Sequence, residues 1–155
     1  MNKLNITIAV LIILFSAKLS LSQSETTVQD IIETASGKVT QLEDEKNQEV
    51  VNMTIDLLVN QGQKTITRAL DPNFTYTVTV LGDRRINKIK LTSFVQTGRS
   101  REFVNELSSS APVMTIKPDG FDLYDFIVSV DSFKGTNITG HFALILYHED
   151  PAKKK

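Results

Sequence analysis

Two hydrophobic periods divide the chain. Between Ser24 and Lys46 apolar residues recur at three- and four-residue spacing: Val28, Ile31, Ile32, Ala35, Val39 and Leu42. On a helix that spacing gathers them into one stripe, so an amphipathic helix is expected here. Thr27 and Asp30 form a short capping pair at its start. Gly37 is the point where the helix is expected to break or end. The charged run "EDEKNQE" (Glu43 to Glu49) reads as a solvated linker.

From Val50 onward the period is two. Val51, Met53, Ile55 and Leu57 alternate with Asn52, Thr54 and Asp56, which predicts a strand burying the apolar set. Strands follow at "KTITRAL", at Phe74-Tyr76-Val78-Val80, at Ile89-Leu91-Ser93-Val95, at "APVMTI", at Tyr124-Phe126-Val128-Val130 and at "HFALILYHE". Turn signals lie between them: "NQGQ", "DPN", Gly82-Asp83, "KPDG" and "FKGTNITG". The polar segment from Gln96 to Ser110 breaks the pattern, and its "FVNEL" reads as one short helical turn.

Strands of this length without helices between them indicate a mainly β fold, an antiparallel jelly-roll-like β-sandwich. The amphipathic helix precedes it and is expected to pack on the sandwich or on a partner. The division that follows is a signal peptide over 1–22, helix and linker over 23–49, the sandwich over 50–150 and a basic tail over 151–155.

The signal peptide rests on Lys3, the apolar run from Leu4 to Phe15, and Ser20 and Ser22 before a cut that would leave Gln23 first. An uncleaved membrane anchor is the alternative, but the run falls short of the roughly 20 residues that span a bilayer. The expected location is therefore secreted or periplasmic, with no stable membrane insertion after cleavage.

Composition narrows the chemistry. There is no cysteine, which removes thiol catalysis, disulfides and every cysteine metal site. The formal charge of −1 offers no field that would draw nucleic acid. His141 and His148, seven apart on a strand, project from opposite faces and cannot share a metal; each reads as a surface imidazole at a strand end. "TGRSRE" sets Ser100 between two arginines and supplies no base. Asp122 and Asp125 differ in parity along their strand, unlike a catalytic carboxylate pair. No catalytic, cofactor or metal residues are assigned. One cluster stands out: Arg84, Arg85, Lys88 and Lys90, either a wet strand face or a patch for an anionic partner.

The order of these motifs resembles the bacterial pre-peptidase C-terminal domain. The likeness lies in "NQGQKTITRALDPNFTYTVTVLGD", "INKIKLTSF", "APVMTIKPDGFDLYDFIVSVDSF" and "FKGTNITGHFALILYHE", from about Val50 to Glu149. The resemblance implies a secreted, non-catalytic accessory or binding module that engages protein or polysaccharide. Relatives often alternate acids with core residues where this chain has Lys88 and Lys90, so calcium is not expected there. Two other readings stay open: self-association through Val28, Ile31, Ile32, Ala35, Val39 and Leu42, and a small hydrolase using His141 or His148 with an acid.

Overall fold

The computed structural model describes residues 27–151, so the predicted signal peptide and the lysines of the basic tail lie outside the described residues. Helix α1 (Thr27–Thr40) continues into a π-helical turn, Gln41–Glu45. Eight strands follow: β1 (Gln48–Val59), β2 (Gln63–Leu70), β3 (Tyr76–Gly82), β4 (Ile86–Thr97), β5 (Ser100–Ser109), β6 (Val113–Ile116), β7 (Asp122–Phe133) and β8 (Thr139–Glu149). They form two antiparallel sheets of four, ordered β1-β8-β3-β6 and β2-β7-β4-β5. Successive strands alternate between the sheets except at the β4–β5 hairpin, which is the interleaving of a jelly roll.

The main core lies between the sheets. Val78 and Val80 of β3, Ile89 and Leu91 of β4, Phe126 and Val128 of β7, and Phe142, Leu144 and Leu146 of β8 fill it. These residues sit at every second position of their strands, so the period-two reading places them correctly. Ser93 occupies the same row of β4, and its buried hydroxyl has no hydrogen-bond partner.

The helix seals the outer face of the first sheet. Ile31, Ala35 and Leu42 pack on Ala143 and Ile145 of β8, with Val39, Val50, Ile55, Leu81 and Tyr147 around them. The helix runs through Gly37 without ending there. Its penalty of about 1 kcal/mol against alanine is outweighed by the packing on either side. Glu43–Glu45 belong to the turn rather than to a linker, and β1 starts at Gln48. The carboxylate of Asp30 accepts a hydrogen bond from the Arg84 backbone N–H at 3.3 Å, tying the helix start to the β3–β4 turn.

This docking corrects the expected oligomerisation stripe. Ile31, Ala35 and Leu42 are fully buried within the chain and Val39 partly so, leaving only Val28 and Ile32 exposed.

Two further readings change. In β1 the alternation is right but the buried side is reversed: Leu58 enters the core, while Val51, Met53 and Leu57 are exposed on the outer side and Ile55 and Val50 lie under the helix. The inward Asn52 and Thr54 meet Arg68 of β2, whose Nη2 lies 3.1 and 3.3 Å from their side-chain oxygens. β1 is an edge strand (its one partner is β8), so its inner polar residues close the side of the sandwich.

The segment read as a helical turn is β5. It pairs along its length with β4, with an irregularity between Ser93 and Phe94. An edge strand with both faces largely wet has no apolar alternation to announce it.

Candidate functional site: the open face of the second sheet

The basic cluster is taken apart by the fold. Arg85 is half-buried against Asp83, with Nη2 and Nε at 2.8 and 3.1 Å from Oδ2. The same oxygen accepts the His141 backbone N–H at 2.7 Å, and Oδ1 accepts the Arg85 N–H at 2.9 Å. Burial pushes the Asp83 carboxyl up, but hydrogen bonds from the Arg85 side chain and the His141 and Arg85 N–H groups, with the guanidinium charge, hold it below its ordinary value. Arg85 is thus a structural partner, not a free cation.

Lys90 lies 3.9 Å from Glu106, and Lys88 sits between two irregularities of the β4–β7 register. Arg84 is exposed in the turn beside the helix. Of the four, Arg85 is committed to Asp83 and Lys90 lies near Glu106, while Arg84 and Lys88 are exposed.

A different surface is built in register across the second sheet. No helix covers it. Thr67 of β2, Asp125 of β7, Phe94 of β4 and Phe103 of β5 lie directly opposite one another in a single transverse row. The next row includes Leu123, Gln96 and Arg101, and the row on the other side includes Ile127, Thr92 and Glu106. Alternate residues of a strand share a face, so these side chains form one patch.

The patch is internally ordered. Asp125 accepts hydrogen bonds from the Thr67 hydroxyl on Oδ1 and from Gln96 Nε2 on Oδ2, the latter at 2.9 Å. Arg101 Nη2 lies 3.0 Å from Oδ2 of the same carboxylate. The Arg101 guanidinium stands 4.3 Å from the centre of the Phe94 ring, and Phe103 meets that ring edge-to-face at 5.8 Å. Burial pushes the Asp125 carboxyl up; the bonds from Thr67 and Gln96 and the charge of Arg101 outweigh it and hold the group below its ordinary value. Phe103 is 62% exposed above this network. A large aromatic surface is thus left in water beside a fixed polar network.

Sequence reasoning missed Arg101, Phe103, Phe94 and Asp125 as a group because β5 was not recognised. The available signal was the two-residue spacing of Arg101 and Phe103 directly after the Thr97-Gly98 turn.

The histidines do project from opposite faces. His141 is half-buried beside Asp83, with Nδ1 3.6 Å from Oδ2 and 3.1 Å from Arg85 Nη2. His148 departs from the expected surface imidazole: its side chain is 4% exposed, stacked on Phe74 at 4.2 Å and edge-on to Tyr76 at 5.4 Å. It lines a cleft of about 350 Å³ at one end of the sandwich, with Gln48, Asn73, Phe74, Thr77 and Glu149. Among the described residues no cluster of three or more His, Asp or Glu side chains could hold a metal ion.

No family model matches the chain, and no curated protein matches it by sequence. A crystal structure of the Yersinia pseudotuberculosis-derived mitogen is similar in fold, with a TM-score of 0.51 over 69% of this chain and 92% of that one at 7% identity. Part of tripeptidyl peptidase 2 overlaps 63% of this chain but 10% of that protein, at a TM-score of 0.45 and 6% identity. A chain from Bacillus endospore appendages gives 0.36 and 13% identity over 66% of this chain and 89% of that one. The first likeness concerns the fold alone, and the other two are too distant to carry an argument.

Proposed function

We propose that this chain is an exported, non-catalytic binding module whose uncovered second sheet engages a polysaccharide. The observation that carries the reading is the pairing of exposed Phe103 with a polar network already in place beneath it. The apolar C–H face of a pyranose ring stacks on an aromatic side chain, while its hydroxyls seek fixed donors and acceptors. Arg101, Asp125 and Gln96 hold one another, so little side-chain ordering remains to be done on binding. The pre-peptidase C-terminal resemblance supports the same reading, since it implies an accessory module. Export rests on the apolar run from Leu4 to Phe15; among the described residues no helix is long and apolar enough to cross a membrane.

The small-hydrolase reading asks for a cleft lined by a histidine with an acid, and His148 and Glu149 line one; no hydroxyl is bonded to the His148 ring among the described residues. The test is affinity electrophoresis through gels carrying neutral and acidic polysaccharides. Retardation by at least one of them is expected, abolished in Phe103→Ala and kept in Phe121→Ala, which removes another exposed ring. Equal retardation of wild type and Phe103→Ala would remove the sheet face as the site; retardation by none would remove polysaccharide as its ligand.

A second reading, self-association, is favoured by the exposed apolar residues on the outer face of β1 and on the helix, Met53, Leu57, Val59 and Ile32. Light scattering with Ile32→Lys and Leu57→Lys separates it: a dimer that these substitutions dissociate supports it, and a concentration-independent monomer removes it.

A further inference from the structure

The open face of the second sheet carries charge, but each cation in its rows already meets a carboxylate. Arg101 lies 3.0 Å from Asp125, whose side chain is 7% exposed. Lys90 faces Glu106 at 3.9 Å, and Glu106 also accepts the Thr92 hydroxyl at 3.0 Å. A third carboxylate, Asp131, accepts the Ser108 hydroxyl at 2.9 Å, and Ser108 stands directly opposite Lys90. The rows therefore set Asp125, Glu106 and Asp131 against Arg101 and Lys90, which leaves an excess of negative charge. Other cations of these strands are directed elsewhere. Lys64 and Arg68 of β2 alternate with Thr65 and Thr67 and turn to the opposite side, where Lys64 meets Asp56 and Arg68 meets Asn52 and Thr54 of β1. Arg99 belongs to the β4–β5 hairpin turn, beyond the end row. Lys88 stands six residues from Phe94 along β4, roughly 20 Å at the rise of a strand.

This balance selects the ligand. A carboxylate or sulfate group could pair with Arg101 only by displacing Asp125. Burial opposes the charge of that carboxyl, and the Thr67, Gln96 and Arg101 contacts together keep it ionised, so an exchange would strand a nearly buried anion. Reaching Lys90 would bring the incoming anion beside Glu106 and Asp131. A hydroxyl asks for no such exchange. It can donate to a carboxylate lone pair or accept from a guanidinium N–H that the existing pair leaves over. Thr65 and Ser129 add uncharged donors and acceptors to the same rows.

We propose that the sheet face is selective for an uncharged polysaccharide and discriminates against chains bearing uronate or sulfate groups. The proposal rests on the sheet-face reading above and adds the class of its ligand. Phe103 supplies the stacking surface, and the paired charges supply hydrogen bonds without a net attraction for anions.

The test uses a glucan, a mannan, a xylan and a galactan, all uncharged and immobilised on beads. Each is compared with its carboxymethylated form, which adds charge, and with its hydroxyethylated form, which adds similar bulk without charge. Depletion of the full chain from solution is measured at about 0.05 and 0.5 M salt, beside Phe103→Ala. Phe103-dependent retention by at least one uncharged polymer is expected, the same at both salts. Retention should be at least about fivefold weaker on the carboxymethylated than on the hydroxyethylated form. Asp131 and Glu106 are exposed, so Asp131→Asn/Glu106→Gln leaves the core untouched, and in it that ratio should narrow. Phe103-dependent retention that is equal on the two derivatives, or stronger on the charged one, would overturn the proposal while leaving the sheet face a polysaccharide site. An unchanged ratio in the double variant would also overturn it, because the charge balance would not be the cause. No Phe103-dependent retention by any polymer would overturn both the proposal and the reading beneath it.

Discussion

Arg85 approaches Asp83 from the side, so that two guanidinium nitrogens reach the same carboxylate oxygen, at 2.8 and 3.1 Å. That oxygen also holds the backbone of His141, 58 residues further along. One carboxylate therefore fixes the β3–β4 turn to the start of β8. Asp83→Ala leaves a half-buried guanidinium and a buried N–H without their acceptor. A loss of roughly 3 kcal/mol is expected in urea unfolding.

Acid should expose the same group. Asp83 and Asp125 are both held below the ordinary carboxylate value in the folded chain. A depressed folded value gives stability that is present above the unfolded value of about 3.9 and is lost as pH falls through the folded one. The urea midpoint should hold from pH 7 to 5 and drop below about pH 4. In Asp83→Asn/Asp125→Asn the midpoint should be lower at neutral pH and flatter in acid. An equally steep acid loss in the double variant would assign the effect to other groups.

Helix α1 offers a comparison within one turn. Ile31 is fully buried and Ile32 is 46% exposed, though the sequence pattern placed both on one stripe. Ile31→Ala should lower stability by about 2–4 kcal/mol, and Ile32→Ala by no more than about 0.5. Similar losses at both positions would mean that the helix buries its other edge.

Much of the fold was legible because most inner strands bury one face: Tyr76, Val78 and Val80 or Tyr124, Phe126 and Val128 can only be read one way. The errors fall where burial is one-sided or absent. In β1 the polar Asn52 and Thr54 point inward because Arg68 satisfies them from the facing sheet, a relation no local pattern contains. In β5 the strand is specified by pairing to β4 rather than by its own apolar residues. The candidate site suffered for the same reason. The basic cluster looked like a surface because its residues are close in sequence, whereas Arg101, Phe94 and Asp125 meet only across three strands.

Ser93 allows a gain. Its hydroxyl is fully buried without a partner, so Ser93→Ala removes an unsatisfied group at little change in volume. A rise of about 1 kcal/mol in unfolding free energy is expected by urea titration. A fall would mean that the hydroxyl has found an acceptor in solution.

Gly140 gives the opposite case. A Cβ there would stand 2.5 Å from Ile86 Cγ1 and 3.2 Å from Asp83 Oδ1. Gly140→Ala must displace Ile86 and should cost about 1–3 kcal/mol, checked by the shift in thermal midpoint.

β8 lies between β1 and β3 and also under the helix, yet among the described strands it comes last in sequence. Its inner residues complete the core, and its outer residues are the seat of α1. Until a growing chain has released residues 139–149 from the ribosome, the first helix and the first strand have nothing to close upon. Folding therefore waits for β8, with contacts spanning more than a hundred residues that form slowly. A nascent chain arrested before Thr139 should remain open to protease along most of its length, and release of one further strand should protect all of it together.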